Sequence, residues 1–224
     1  MSAHPSHEDE DVADGSARSY GGMSLAERRR QRRERLIAAG VQVFGTEGYH
    51  GATVRAICKH SGLTERYFYE SFANMGSLLA ATHEHLNAEL MKLTLERLAQ
   101  APEDPLGTAR LALSTYFEFI RSDPRRARIM LIDFFHSGPE TRDVASAAVK
   151  DFAVLMRNVL DAELPDAAER GLSTDLMAAG LIGHNVHIAW QWALEGFATP
   201  LEMVINSALC AYQGLARQSA RPPS

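Results

Sequence analysis

Apolar residues recur at intervals of three and four from position 24 almost to the end of the chain, and no stretch alternates with the period of two that a half-buried strand requires. Order is expected to begin at Ser24-Leu25-Ala26-Glu27, where a serine N-cap and a glutamate three residues on can satisfy each other's backbone donors as a capping box. Leu36, Ile37, Gly40, Val41 and Phe44 then mark one face of a first helix, which Gly45 and Gly48 are expected to end. Thr53 caps a short helix with Val54, Ile57 and Cys58 on one face, stopped by Ser61-Gly62. Thr64 caps the next, which carries Tyr67, Phe68, Tyr69 and Phe72. A longer stripe opens at Asn74 or Ser77, runs through Leu78, Leu79, Thr82, Leu86, Leu90 and Leu93, and fades near Ala101, ahead of Pro102 and Pro105.

Every later apolar segment keeps the helical period: Leu106 to Ser122, Pro124 to His136, Pro139 to Leu164, Thr174 to Glu195, and Pro200 to Gln218. Their boundaries carry physical signatures. Asp123-Pro124 reads as an N-cap followed by proline at the first helical position, Ser137-Gly138-Pro139 as a break, and Thr199-Pro200-Leu201-Glu202 as a capping box enclosing a proline. The prediction is an all-α fold of about nine helices.

Composition leaves that picture in place. The chain has 224 residues, 46% hydrophobic and 23% charged, as expected for a globular protein able to bury a core. Each apolar stretch is interrupted by Arg, His, Glu or Gln before it reaches the length of a membrane span, so a soluble protein is expected. Cys58 and Cys210 form no CxxC pair, which argues against a disulfide scaffold or a zinc knuckle and favours a reducing cytoplasm. Charge changes the picture more. The net charge of -5 divides into -5 over residues 1–17, +5 over residues 18–80, and -5 over the remainder. Residues 1–22, polar and acidic, are expected to form a disordered arm. The basic segment behind them includes Arg28, Arg29, Arg30, Arg32, Arg33 and Arg35, and a cluster of this kind suits a phosphate backbone.

That cluster lies just before helix, tight turn at Gly62, helix, over Thr53 to Leu79. In a helix-turn-helix the second helix offers its N-terminal side chains to the major groove while the first crosses the backbone. With Val54, Ile57, Leu63, Phe68 and Phe72 packed inward, Arg55, Glu65, Arg66, Tyr67 and Tyr69 remain for the outside. The segments VFGTEGYHGATV, TVRAICKHSGL and TERYFYESF together resemble the TetR family of bacterial transcriptional repressors, over roughly residues 25 to 80. The family's tyrosine, two variable residues and phenylalanine are here Tyr69, Glu70, Ser71 and Phe72. The resemblance implies that Thr53 and Thr64 meet phosphates, that Tyr69 contacts phosphate, and that Arg55, Glu65, Arg66 and Tyr67 face DNA. Met75 stands where family members often carry a phosphate-anchoring lysine, and the arginine run is expected to compensate.

The resemblance further implies a DNA-binding domain over residues 23–80 and, over residues 81–224, a helical domain for dimerisation and ligand sensing. Double-stranded operator DNA, a second copy of the chain and a small-molecule effector are the implied partners; no membrane, cofactor or catalytic centre is expected. Leu181, Asn185, Ile188, Trp192, Ala208 and Tyr212 on the last two helices are the candidate dimer contacts. Phe117, Phe134, Phe135, Phe152, Met156, His184 and Trp190 are the candidates for a largely apolar pocket between helices, with His136 a further polar possibility. A helical metal-dependent enzyme using His83, His85, His184 and His187 is the alternative from another class, although these histidines lack a third ligand at suitable spacing. The leading expectation is a ligand-responsive, cytoplasmic repressor that binds palindromic operator DNA as a homodimer. An activator or a ligand-independent regulator of the same fold is the nearer alternative.

Overall fold

The computed structural model describes residues 24–133 and 139–219. The described residues form α-helices and no strand: α1 Leu25–Glu47, α2 Val54–Ser61, α3 Glu65–Ser71, α4 Met75–Leu98, α5 Pro105–Ser122, α6 Pro124–Ala127, α7 Pro139–Glu163, α8 Thr174–Leu194 and α9 Leu201–Ser219. A π-helical segment, Arg128–Asp133, continues α6. Among the described residues no helix is long and apolar enough to cross a membrane.

Helix termini follow local chemistry. Asn74 and Ser77 cap each other reciprocally at the start of α4, and Asp104 caps α5 with Pro105 behind it. At α1 only half of the anticipated box forms. Ser24 accepts from the Glu27 amide at 3.0 Å, but the Glu27 carboxylate turns to Arg30 instead, 2.5 Å away. The last helix begins at Leu201, with the Pro200 carbonyl accepting from the Met203 and Val204 amides, so Pro200 precedes the first turn and does not lie in it.

Two expectations about α1 and α6 are corrected. Gly45 does not end α1; the helix runs on to Glu47 and Gly48 closes it at φ 76°. Gly45 is needed for close approach, because a Cβ there would stand 2.7 Å from Arg125 Cγ and 3.0 Å from Arg125 Cα. The segment from Pro124 is not one regular helix either. A four-residue α-turn gives way to the wider π spiral at Arg128, and the rest of the expected helix, including Phe134, Phe135 and His136, lies outside the described residues.

Helices α1 to α3 form the head, with α1 packed against α2, α3 and α4. Leu36, Val43, Phe44, Ile57, Phe68 and Leu78 are wholly buried among them. Helix α4 carries the chain into the body, where α5 and α7 pack against it, α8 against α7, and α9 against α5 and α8. Head and body also meet at α6. Arg125 is held by the Asp123 carboxylate (2.7 Å) and by Gln42 of α1, and Arg128 donates to the Thr46 carbonyl at 2.9 Å.

Candidate nucleic-acid interface and ligand cavity

The turn between α2 and α3 is built by backbone necessity. Gly62 adopts φ 65°, ψ 29°, its amide bonds to the Cys58 carbonyl, and the Leu63 amide shares that carbonyl; residues with a Cβ rarely take this conformation. Ile57 and Phe68 are fully buried and Phe72 nearly so, which locks the two short helices against α1. Helix α3 is only seven residues long, too short to hold itself together in water. Its orientation therefore depends on packing and on what grips its ends.

Arginines supply that grip. Arg35 donates to the Ser61 carbonyl at 2.6 Å, tying the end of α2 to α1. Arg33 donates to the Ser71 carbonyl at 3.1 Å and lies over the Phe72 ring, and Arg32 lies over the Tyr67 ring at 4.5 Å. Arg30 is held between Glu27 and Glu34. Three of the six, Arg32, Arg33 and Arg35, thus also brace the head, while Arg28 and Arg29, both exposed, have no such role in the described contacts. Sequence could not separate the two uses, because helical spacing alone does not say which arginines meet α2 and α3.

The residues read as DNA contacts lie on α2 and α3 and at their N-caps. Thr53 caps α2, its hydroxyl accepting from the Ala56 amide at 3.1 Å. Thr64 is in the N-cap position of α3 but its side chain makes no capping bond. Arg55, Glu65, Arg66 and Tyr69 are exposed, Tyr69 at 59%, and Tyr67 is half-buried beneath Arg32. Arg66 bonds to Glu70 one turn on at 2.9 Å, a surface pair worth little and easily exchanged for another partner.

Within the body, α4, α5, α7, α8 and α9 and the π segment enclose a cavity of about 360 Å³, within the range of roughly 300–1,000 Å³ typical of small-molecule sites. Its wall is mostly aliphatic, including Leu90, Leu113, Leu155, Leu160 and Ile182. Phe152 and Met156 line it, as do Met130 and Leu131 of the π segment. No lysine or arginine is among the lining residues. His83 reaches it from α4; burial pulls its imidazole down to about 4, and Asn87 donates to its Nδ1 at 2.9 Å, so the ring is neutral. Tyr116 also lines it, its phenol pushed up by burial.

Other expected pocket residues are elsewhere. Phe117 is fully buried, its ring 6.1 Å from that of Trp192. Trp190 stacks on His187, and His184 lies outside the lining with a buried Nε2 that has no partner within the protomer. The expected dimer contacts have little exposed surface in the single protomer. Leu181, Asn185, Trp192, Ala208 and Tyr212 are buried, Trp192 donates to the Thr199 carbonyl at 2.8 Å, and Ile188 is half-buried. Asn185 and Tyr212 face the cavity. The signal that would have found them is polarity: each interrupts the apolar stripe of its helix.

The histidines of the metal alternative do not converge. His85 is exposed and 3.4 Å from Glu89, His83 is in the cavity and His187 is against Trp190. Among the described residues no group of three or more His, Cys, Asp or Glu could hold a metal ion.

Residues 36–82 match the family model described as "Bacterial regulatory proteins, tetR family". The chain is 25% identical over 184 residues to the HTH-type transcriptional activator FasR of Mycolicibacterium smegmatis, covering 80% of each. It is 26% identical over 182 residues to the fatty acid metabolism regulator protein of Bacillus subtilis, covering 78% of this chain and 90% of that one. Among solved structures, the transcriptional regulator FadR from Bacillus subtilis in complex with stearoyl-CoA superposes with a TM-score of 0.70 at 20% identity, covering 79% of this chain and 95% of the other. The fatty acid degradation regulator FadR from Bacillus halodurans gives 0.69 at 19% identity, covering 83% and 94%.

Proposed function

Since this chain is a transcriptional regulator of the TetR family, we propose that it is a homodimeric, ligand-responsive repressor that reads palindromic operator DNA through residues 53 to 72. The observation that carries the reading is the braced head. Arg33 and Arg35 tie the ends of α3 and α2 to α1, while Arg55, Glu65, Arg66 and Tyr69 on those two short helices stay exposed. Thr53, Thr64 and Tyr69 are assigned to phosphates, and Arg66, Glu65 and Tyr67 to the groove, with Arg66 available to guanine and Glu65 to cytosine N4. Residues 23–80 are taken as the DNA-reading domain, residues 81–224 as the sensing and dimerising one, and residues 1–22 as an arm.

One head covers few base pairs, so a dimer is required to read two half-sites. The exposed side of α8 and α9 supports a contact there. Leu176 is 76% exposed and Met203 57%, and Gly180, Gly183 and Gly214 face open space within the protomer, which lets a second pair of helices approach closely.

The effector is inferred to be a long acyl chain, for which stearoyl-CoA is the probe. The aliphatic cavity supports this, as do the likenesses to the B. subtilis fatty acid metabolism regulator and to the solved B. subtilis FadR in complex with stearoyl-CoA. Filling it would displace Met130 and Leu131, and Arg128 in the same π segment holds the end of α1. Release follows if the ligand prefers the conformation that operator does not. The test is a mobility shift on the DNA upstream of the chain's own gene, with and without stearoyl-CoA. A specific complex dissolved by the ligand is expected; no specific complex with any upstream fragment would overturn the reading. The M. smegmatis relative is an activator, which favours a second reading in which bound dimer raises transcription; transcription in vitro from the same promoter separates the two.

A further inference from the structure

One polar pair in the cavity wall keeps buried hydrogen-bonding capacity unmet. Asn185 of α8 is 8% exposed. Its Nδ2 donates to Tyr212 Oη of α9 at 2.8 Å, while its Oδ1 is buried and has no partner. Both residues line the cavity. The hydroxyls of Thr94 and Thr108, by contrast, are spent on backbone carbonyls.

Valence decides what this pair can bind. The Tyr212 hydroxyl, accepting from the amide, retains a proton to donate, and Asn185 Oδ1 retains lone pairs to accept. Turning the amide over exchanges the parts: Tyr212 donates to Oδ1, and Nδ2 becomes the spare donor beside the Tyr212 oxygen. Either orientation presents one donor and one acceptor side by side. A methylene satisfies neither and a carbonyl only one. An ionised carboxylate leaves the acceptor facing negative charge with no lysine or arginine lining the cavity. Neutralising that carboxylate at pH 7 costs on the order of a few hundredfold in affinity. An alcohol donates and accepts at once and satisfies both, whereas leaving such a buried polar pair unmet is costly.

We propose that Asn185 and Tyr212 form a hydroxyl-recognition station in the cavity, so that the effector is an acyl ligand hydroxylated along its chain and not a plain saturated one. This rests on the acyl reading above and narrows it.

The test measures dissociation constants by calorimetry for stearoyl-CoA and for positional isomers of hydroxystearoyl-CoA. It uses the full-length wild type, Tyr212→Phe, which deletes a single oxygen, and Asn185→Leu, with circular dichroism to confirm folding. The wild type should prefer one hydroxylated isomer over stearoyl-CoA by about tenfold. Both variants should lose that preference, binding the hydroxylated isomer and stearoyl-CoA alike; should Asn185→Leu not fold, Tyr212→Phe decides. Stearoyl-CoA binding with no isomer preferred, as expected if a resident water alone meets the pair, would overturn the station and leave the acyl reading standing. A preference that survives in Tyr212→Phe would overturn the station as well. Binding of no acyl-CoA at all would overturn both.

Discussion

Substituting Gly45 by alanine sets two effects of known sign against each other at the joint between head and body. Gly45 is inside α1, so alanine gains about 1 kcal/mol in helix propensity. Its Cβ, however, would stand 2.7 Å from Arg125 Cγ and 3.0 Å from Arg125 Cα. Carbon atoms prefer about 3.5–4.0 Å, so α1 and α6 must separate by close to an ångström. Arg125 is poorly free to yield, being held by Asp123 at 2.7 Å and by Gln42. Overpacking of this kind costs roughly 1–3 kcal/mol, which leaves a net loss of about 1 kcal/mol after the propensity gain. For a chain of this size that lowers Tm by about 2–4 °C. Because α6 leads into the π segment that lines the cavity, DNA affinity should change while α2 and α3 are untouched. Thermal unfolding and a DNA titration check both. A rise in Tm would refute the reasoning, since it would mean that propensity outweighs contact and that the α1–α6 packing is loose.

Arg35→Ala removes the bond from Arg35 to the Ser61 carbonyl and should weaken DNA binding by about tenfold. Its plot of log affinity against log salt should keep the wild-type slope, whereas Arg28→Ala, if Arg28 meets phosphate, should flatten that slope by about one. His83 is held at about 4 in the fold against 6.5 when free. The unfolded chain therefore takes up a proton that the native state refuses, and stability present above pH 6.5 is lost as pH falls to about 4, by about 3 kcal/mol. Urea titrations at pH 7 and 4.5 should show that part of the loss absent in His83→Gln. Gly183→Glu, facing open space in the protomer, should leave helical content unchanged and shift the chain to monomer in analytical ultracentrifugation. A dimer that persists would move the interface elsewhere.

Much of the fold is written locally. The Thr53 and Asp123 caps, the left-handed turn at Gly62 and the apolar stripe of α4 each follow from residues within one or two turns, and such signals survive in a linear reading. What a linear reading misses depends on distant partners. Gly45 looks like a stop signal until Arg125, eighty positions away in sequence, is placed against it. That Arg33 and Arg35 also brace the head shows only once Ser61, Ser71 and Phe72 come within their reach. Asn185 and Tyr212 sit at spacings that suit a helix interface, and their place in the wall of a cavity shows only in the tertiary packing. Tyr69 was legible as exposed because its neighbours Phe68 and Phe72 claim the inward positions.

The central claim is that α2 and α3 read DNA. It is tested most directly by fluorescence anisotropy on the chain's own upstream DNA at fixed salt, with Tyr69→Phe and Arg66→Ala beside the wild type. Each substitution should weaken specific binding, by roughly 1–3 kcal/mol for Arg66→Ala if it pairs with a base, and leave unfolding unchanged, since both side chains are exposed. Specific binding that neither substitution alters would contradict the assignment of this face to DNA.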